Sequence, residues 1–262
     1  MNKSNIIRAI TLAVGMGAVL ALTVPASASP RMTAASASGG GGVMIHHGVI
    51  GPAGLTTATP TSTRTFAGYQ ATVPAGSATV ATASFTVPTL TCTTVDRAIA
   101  PDVGVLANSF NTVSISGVIT SCASGTAVYF PSVVVNGKET DYTASPVAAG
   151  DVIDLTTKVS TNRTRVQVTD VTTGVTQKII GAGARASAAY VGDDALFTSS
   201  GALFHVPDFG KLTFKNCLLD GKSLASWHPH AYQRVNSLGT VQIATGGFRP
   251  GGTAFTTRFE HS

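Results

Sequence analysis

The sequence predicts an all-β protein, a sandwich of many antiparallel strands that forms one domain of about 200 residues. Three observations predict it. Short runs rich in β-branched residues alternate apolar with small or polar side chains at period two. Glycine, asparagine and proline turn signals separate these runs. No segment carries a convincing apolar stripe with the 3.6-residue period of a helix.

The first 28 residues have the parts of a secretory signal peptide. Lys3 and Arg8 precede an apolar core over residues 9–24, and Ala28 closes a small-x-small cleavage motif. The core is short for a membrane span, and no later stretch is long and apolar enough to cross a bilayer. We therefore expect cleavage after Ala28 and a secreted, extracellular protein without a membrane span.

Residues 29–62 differ in composition from the rest of the chain. They are rich in Ser, Thr, Ala, Gly and Pro, which cannot bury enough surface to offset the entropy of the chain. We expect a flexible linker or propeptide-like arm here, followed by one β-sandwich domain over residues 63–262.

Within that domain the predicted strands follow one another with recognisable turns. They cover residues 77–88, 111–120, 151–161, 164–171, 211–216 and 239–245. Asn136-Gly137, which follows a run of valines, is a type I′ hairpin signal. Residues 172–174 (Thr-Thr-Gly) turn the chain between two further strands.

The charge balance excludes one class of partner. Loss of the signal peptide leaves 15 of the 17 basic residues against 12 acidic ones, a net charge of +3. Basic residues form no run and do not interleave with aromatic ones, so we expect no nucleic-acid binding. Weak association with anionic cell-wall polymers is compatible with this charge, and we expect a monomer.

Three cysteines lie in the predicted domain. An oxidising compartment favours pairing of two of them, and we predict Cys92 with Cys122, which leaves Cys217 buried or free. Three dispersed cysteines are too few for a zinc ribbon. His228 and His230 have no third ligand nearby, so we expect no metal and no cofactor.

Standard nucleophile and phosphate-binding motifs are absent from the sequence. The remaining candidates are Asp193 and Asp194, at the end of a small-residue strand. Because side chains alternate along a strand, the two carboxyls must point to opposite faces. A solvated strand end and an active site both explain such a pair.

Motifs in a consistent order resemble the eqolisin, or glutamic peptidase, family of the scytalidopepsin B type, over about residues 63–225. They are Phe66–Tyr69, Ser84–Pro88, Val103–Val105, Tyr129–Pro131, Val147–Ile153, Val171–Gly174, Ala189–Asp194 and Asp208–Gly210. The resemblance implies a concanavalin A-like, jelly-roll sandwich of two curved antiparallel sheets with a peptide-binding cleft on the concave face. It also implies secreted endopeptidases that work at acid pH, with a Glu as general base and a Gln amide as oxyanion donor.

The family's catalytic positions are substituted in this sequence. The Glu position falls on Asp193, or on Asp194 if the register shifts by one, and the Gln position falls on Ser116. Leu106 and Val128 replace two flanking acids. Displacing a carboxylate by about 1 Å costs on the order of a hundredfold, and losing an oxyanion donor costs a hundred- to a thousandfold.

Three hypotheses follow from these substitutions. The first is a protein that binds peptides or glycans in the concave cleft and has an inactive or altered dyad. The second is an acid endopeptidase that uses Asp193 as general base, with Ser116 or a backbone group as the donor. The third is a structural protein associated with the cell wall.

Overall fold

The computed structural model describes residues 59–107, 112–145, 147–198 and 200–261, most of which form strands. The predicted signal peptide, and the predicted arm as far as residue 58, lie outside the described residues. The strands are β1 (Thr61–Thr63), β2 (Phe66–Thr72), β3 (Thr79–Thr86), β4 (Arg97–Ala107), β5 (Thr112–Ala123), β6 (Thr126–Val135), β7 (Lys138–Asp141), β8 (Val152–Val159), β9 (Arg163–Asp170), β10 (Val175–Ala182), β11 (Ala186–Ala195), β12 (Lys211–Leu219), β13 (Lys222–Ser223), β14 (His230–Val235), β15 (Val241–Thr245) and β16 (Phe255–Phe259). A 3₁₀ turn covers Leu224–Trp227. The predicted all-β class is confirmed.

The strands form two sheets that share β12. Sheet A runs β12-β16-β15-β14-β2-β11-β4-β5-β6-β7, and β1 lies parallel to β14. Sheet B runs β10-β9-β8-β3-β12, and β13 pairs with the end of β12. The register of β12 is irregular between Lys215 and Leu218, where Asn216 has a φ of 51°. The first half of β12 pairs with β16 and the second half with β3, so this strand carries the chain from one sheet into the other.

The main hydrophobic core lies between the sheets, where β4, β5, β6 and β11 pack against β3, β8 and β9. Along β8 and β9 buried residues alternate with more exposed ones, which confirms the period-two pattern predicted for these strands. Along β4 and β11 nearly every residue is buried. Both faces of these two strands are therefore covered, and their sequences do not reveal which face meets sheet B.

Local turn and cysteine predictions agree with the fold. Asn136 and Gly137, with φ of 51° and 79°, turn β6 into β7 as the hairpin signal predicts. Cys92 and Cys122 form a disulfide that ties the segment before β4 to the end of β5, and Cys217 is free and buried. The predicted pairing is confirmed.

Strand β1 begins at Thr61, so the last two residues assigned to the predicted arm lie in sheet A. In the part of the chain that the structure describes, no helix is both long enough and apolar enough to span a membrane.

Candidate functional site

Strand β11 turns Asp193 and Asp194 to opposite faces of sheet A. Ala189 and Val191 belong to the core between the sheets, so Asp193 shares that side. Tyr190 belongs to a second apolar cluster on the other side of sheet A, and Asp194 shares it. We call this second side the outer face of sheet A.

Asp193 is enclosed between the sheets, with an exposed fraction of 0%. Burial raises the pKa of its carboxyl to about 7; the hydroxyl of Thr257 and the charge of Arg234 lower it, and the charge of Asp194 raises it. Neither carboxylate oxygen makes a hydrogen bond of ordinary geometry with a described residue, Thr257 included. Ionising Asp193 is therefore costly.

Ser116 also points into the core between the sheets. Its cross-strand partners Val103 and Val133 are core residues, and its Oγ lies 3.0 Å from Oγ1 of Thr157 on sheet B. Strand β4 separates β5 from β11, which places their axes about 10 Å apart. The structure thus puts Ser116 and Asp193 on one face without bringing them together, and the hydroxyl of Ser116 has a partner in the core.

The outer face brings Asp194 to a residue that sequence reasoning missed. Asp102 on β4 pairs with Gly192, and Ala100 pairs with Asp194, so Asp102 and Asp194 are diagonal neighbours on one face. Their side chains lie within hydrogen-bonding reach, and the hydroxyl of Tyr190 donates to Oδ2 of Asp194 at 3.2 Å. Burial, then the neighbouring Asp194, raises the pKa of Asp102 well above its usual range. Asp102 therefore favours its protonated, neutral form.

A row of direct cross-strand partners crosses the outer face through Asp102. In spatial order it contains Tyr232, Gly68, Gly192, Asp102, Gly117, Ser132 and Asp141. We call these seven residues the cross-strand row. Four of them are Gly or Ser; the Phe66 ring lies over Gly68 and Gly192, and Cβ of Asp102 lies beside Gly117.

Aromatic rings pack at one end of this face. Phe66 lies 5.3 Å from Tyr190 and 5.9 Å from Tyr232 between ring centroids. A Cβ atom on Gly104 would come within 2.0 Å of the Tyr190 ring, and one on Gly192 within 2.6 Å of the Phe66 ring. Glycine is therefore needed at both positions for the rings to lie against the sheet.

Two more acids lie at the other end. Glu139 on β7 accepts a hydrogen bond from Oγ of Ser132 at 3.3 Å, and Asp141 pairs with Ser132 across the strands. Burial raises the pKa of Glu139 to about 8, with the charge of Asp141 adding to the rise and Ser132 opposing it. Burial also raises the pKa of Asp141. This edge of the sheet is therefore least charged in acid solution.

Arg234 is the cation near the two adjacent acids. Its exposed fraction is 1%, and Nη2 donates to the carbonyl of Phe204 at 2.9 Å. Burial lowers the pKa of its guanidinium to about 10, although the charges of Asp193 and Asp194 oppose the shift. Its Nε and Nη1 have no hydrogen-bond partner among the described residues. The described ranges hold no group of three His, Cys, Asp or Glu side chains that could bind a metal ion.

A model of the peptidase A4 family matches residues 64–245. The chain belongs to the peptidase A4 family. This A4 protein is similar to a scytalido-glutamic peptidase solved with a peptide-based transition-state analog, with a TM-score of 0.59, 16% identity, and coverage of 75% of this chain and 98% of that one. It is also similar to SCP-B, an eqolisin in complex with the tripeptide Ala-Ile-His (TM-score 0.57, 16% identity, 75% and 98% coverage).

A third similar structure is the aspergilloglutamic peptidase from Aspergillus niger, with a TM-score of 0.51, 18% identity, and coverage of 63% of this chain and 99% of that one. No curated protein matches the chain. The resemblance to eqolisins is confirmed, and this A4 protein is a divergent member whose sandwich fold the similar structures share.

Asp102 carried a signal that sequence reasoning did not use. It is the one acid in the strand RAIAPDVGVLA, where every other residue after Arg97 is apolar or glycine. An acid in such a strand of the A4 protein must be either costly or functional.

Proposed function

We propose that this chain is a secreted A4-family protein that binds extended polypeptides across the outer face of sheet A. In this proposal Ser116 and Asp193 do not form a catalytic pair. The acid that faces the polypeptide is Asp194, the alternative that a one-residue shift in register allows.

The observation that carries the proposal is the cross-strand row. Its seven members are successive partners on seven neighbouring strands. At about 4.8 Å per strand the row is roughly 29 Å long, the length of about eight or nine extended residues. Six of its seven members are buried, so a polypeptide reaches the row only when the groups that cover this face move aside. Aromatic rings at one end and acids at the other give the site a direction.

Two similar structures support a polypeptide as the ligand. The scytalido-glutamic peptidase was solved with a peptide-based transition-state analog and SCP-B with a tripeptide. Both share the fold of this chain over almost their whole length. A polypeptide is therefore the ligand class to test first.

The setting of Asp193 argues against the acid endopeptidase that uses this residue as its base. A general base must be ionised at the working pH. With a pKa raised by burial to about 7, Asp193 is protonated throughout the acid range. Ser116 adds no oxyanion donor there, because its hydroxyl lies against Thr157 and the carbonyl of Val103.

The N-terminal pattern of Lys3, Arg8 and the apolar segment before Ala28 supports secretion. The Cys92–Cys122 disulfide supports an oxidising compartment. We keep cleavage after Ala28, a monomeric state and weak cell-wall association as parts of the proposal. N-terminal sequencing of the exported protein tests the cleavage directly.

The test of polypeptide binding uses two tryptophan variants on β7. Asp141→Trp places a ring at the end of the cross-strand row, whereas Lys138→Trp places one at an exposed position on the opposite side of the strand. The probe is a fluorescently labelled, reduced and carboxymethylated protein at pH 4, followed by anisotropy. We expect Asp141→Trp to weaken binding about tenfold or more, a loss of about 1.4 kcal/mol, and Lys138→Trp to leave it within twofold. No binding by the unmodified protein, or equal losses in both variants, would overturn the proposal.

A further inference from the structure

Asp102 and Asp194 have the arrangement that general acid–base catalysis requires. Both project from neighbouring strands onto the outer face, with exposed fractions of 1% and 2%. The carboxyl of Asp102 is within hydrogen-bonding reach of Asp194, which also accepts from Tyr190. Like charges side by side in a desolvated site are unfavourable, so Asp102 favours its protonated form.

Unpartnered polar groups at the same place point to a polar ligand. Oδ1 of Asp102 has no hydrogen-bond partner among the described residues, and the same is true of Nε and Nη1 of Arg234. Both side chains are at least nine-tenths buried, and the guanidinium lies within electrostatic range of Asp194. Buried polar atoms in proteins nearly always have partners, so the unpaired atoms of Asp102 and of a guanidinium that interacts with both Asp193 and Asp194 call for an explanation. The two Arg234 N–H groups require acceptors, which a peptide carbonyl or a water oxygen offers, and Oδ1 of Asp102 requires a donor, which a water molecule offers.

The geometry points to Asp102 and Asp194 as a hydrolytic carboxyl pair that cleaves a peptide bond of the bound polypeptide, with Asp194 as general base and Asp102 as general acid. The inference rests on the proposed binding of polypeptides to the outer face. It assigns catalysis to Asp102 on β4 and Asp194 on β11, and it assigns no catalytic role to Asp193 or Ser116.

The reaction balances with one proton on the pair. Asp194 takes a proton from water while the water oxygen bonds to the peptide carbon, and Asp102 gives its proton to the carbonyl oxygen. This produces a neutral gem-diol, with the proton of the pair now on Asp194. Asp194 then donates to the amide nitrogen as the C–N bond breaks, and a gem-diol hydroxyl returns its proton to Asp102. The products are a carboxylic acid and an amine, and the pair regains its starting state.

The surrounding groups fix the two roles. Burial, the charge of Asp194 and the charge of Asp193 all raise the pKa of Asp102, so it keeps its proton. Tyr190 stabilises a charge on Asp194 by donating a hydrogen bond, and Arg234 does so through its positive charge. Arg64 lies near Arg234 and weakens that cation slightly. Because both carboxyls are buried, the polypeptide must gain access to this face before the reaction, and the reaction then proceeds away from bulk water.

The experiment measures cleavage and binding separately in the full-length secreted protein. Asp102→Asn and Asp194→Asn keep the size of each side chain and remove its acid function. Asp154→Asn, at an exposed position on β8 in sheet B, is the matched control. Each variant is assayed between pH 3 and 6 with the labelled carboxymethylated protein, by gel for cleavage and by anisotropy for binding.

We expect the unmodified protein to cleave the probe, and each outer-face variant to lose at least about a hundredfold in kcat, the usual contribution of a general acid or base. Binding should stay within threefold, and Asp154→Asn should match the unmodified protein. Asp102→Glu retains an acid at a displaced position and should recover part of the rate. This recovery distinguishes a catalytic carboxyl from one that only supports the fold.

Four results would overturn the pair, and they separate it from the proposed function. Binding without cleavage by the unmodified protein removes the pair and leaves the binding function standing. Full activity in either outer-face variant, or no recovery in Asp102→Glu with its fold intact, also removes the pair. An Asp193→Asn loss as large as that of Asp194→Asn would return the base to the other face. Absence of binding would instead remove the proposed function itself.

Discussion

Asp193 and Asp194 are neighbours in sequence, yet the chain gives their carboxyls different surroundings. Asp193 lies between the sheets beside Thr257, with a pKa raised by burial to about 7 and no well-formed hydrogen bond to a described residue. Asp194 lies on the outer face, where Tyr190 donates to it and Asp102 is within hydrogen-bonding reach. One strand thus carries an acid without a well-formed hydrogen bond on one face and a hydrogen-bonded acid on the other.

Burial alone does not mark a functional acid in this protein. Both carboxyls are almost completely inaccessible. On the core face, ionisation of Asp193 mainly costs stability, because few groups compensate the charge. On the outer face, the hydroxyl of Tyr190 donates a hydrogen bond that stabilises a negative charge on Asp194. The carboxyl of Asp102 lies close enough to exchange a proton with it. The groups that contact each carboxyl, rather than its depth of burial, distinguish the role of Asp194 from that of Asp193.

The largest effect should come from Asp193→Asn. A carboxyl whose pKa rises on folding from 3.8 to about 7 stabilises the fold fully below pH 4, and this contribution is lost as the pH rises through 7. At about 1.4 kcal/mol per pH unit, this residue lowers the free energy of unfolding by roughly 4 kcal/mol between pH 4 and pH 8. Asparagine cannot ionise. Urea unfolding at pH 4 and at pH 8 should therefore show that the free energy of unfolding changes less in the variant than in the unmodified protein, by about that amount.

Asp154→Asn is the control for this measurement, because Asp154 is exposed on β8. The difference between its free energies of unfolding at pH 4 and pH 8 should equal that of the unmodified protein. Some difference will remain in every variant, since the pKa values of Asp102, Glu139 and Asp141 are raised as well. An Asp193→Asn variant with an undiminished pH difference would show that Asp193 is solvated or ion-paired in solution.

The second effect concerns Ser116, the position that the family resemblance assigns to the oxyanion donor. Its side chain is fully buried against Thr157, so Ser116→Gln adds bulk to the core and should cost about 1–3 kcal/mol. Ser116→Ala removes one hydrogen bond and should cost about 1 kcal/mol. Urea midpoints at pH 4 measure both changes. A Ser116→Gln variant that is stable and cleaves faster would place residue 116 in the site after all.

The sequence predicted more of the fold than of the site, for a physical reason. Period-two alternation and turn residues such as Asn136-Gly137 are local signals, and the sheets preserve them. Alternation also separated Asp193 from Asp194 correctly, but β11 is buried on both faces, so no local pattern shows which face meets sheet B. The partnership of Asp102 with Asp194 depends on the register between β4 and β11, and the contact of Ser116 with Thr157 depends on how sheet A packs on sheet B. Neither arrangement is encoded in a short stretch.

The smallest predicted effect concerns the hydroxyl of Tyr190 on the outer face. Tyr190→Phe keeps the ring against Gly104 and removes the hydroxyl that donates to Asp194 at 3.2 Å. The free energy of unfolding at pH 4 should fall by about 1 kcal/mol, the usual net value of one hydrogen bond. The pH 4 to pH 8 difference in the free energy of unfolding should stay within about 0.5 kcal/mol of that of the unmodified protein, because the Tyr190 hydroxyl, whose pKa is raised well above its usual range, does not titrate there. If Tyr190→Phe changed that difference as much as Asp193→Asn does, the two faces would be one electrostatic unit, and Asp193 would have to be counted as part of the site.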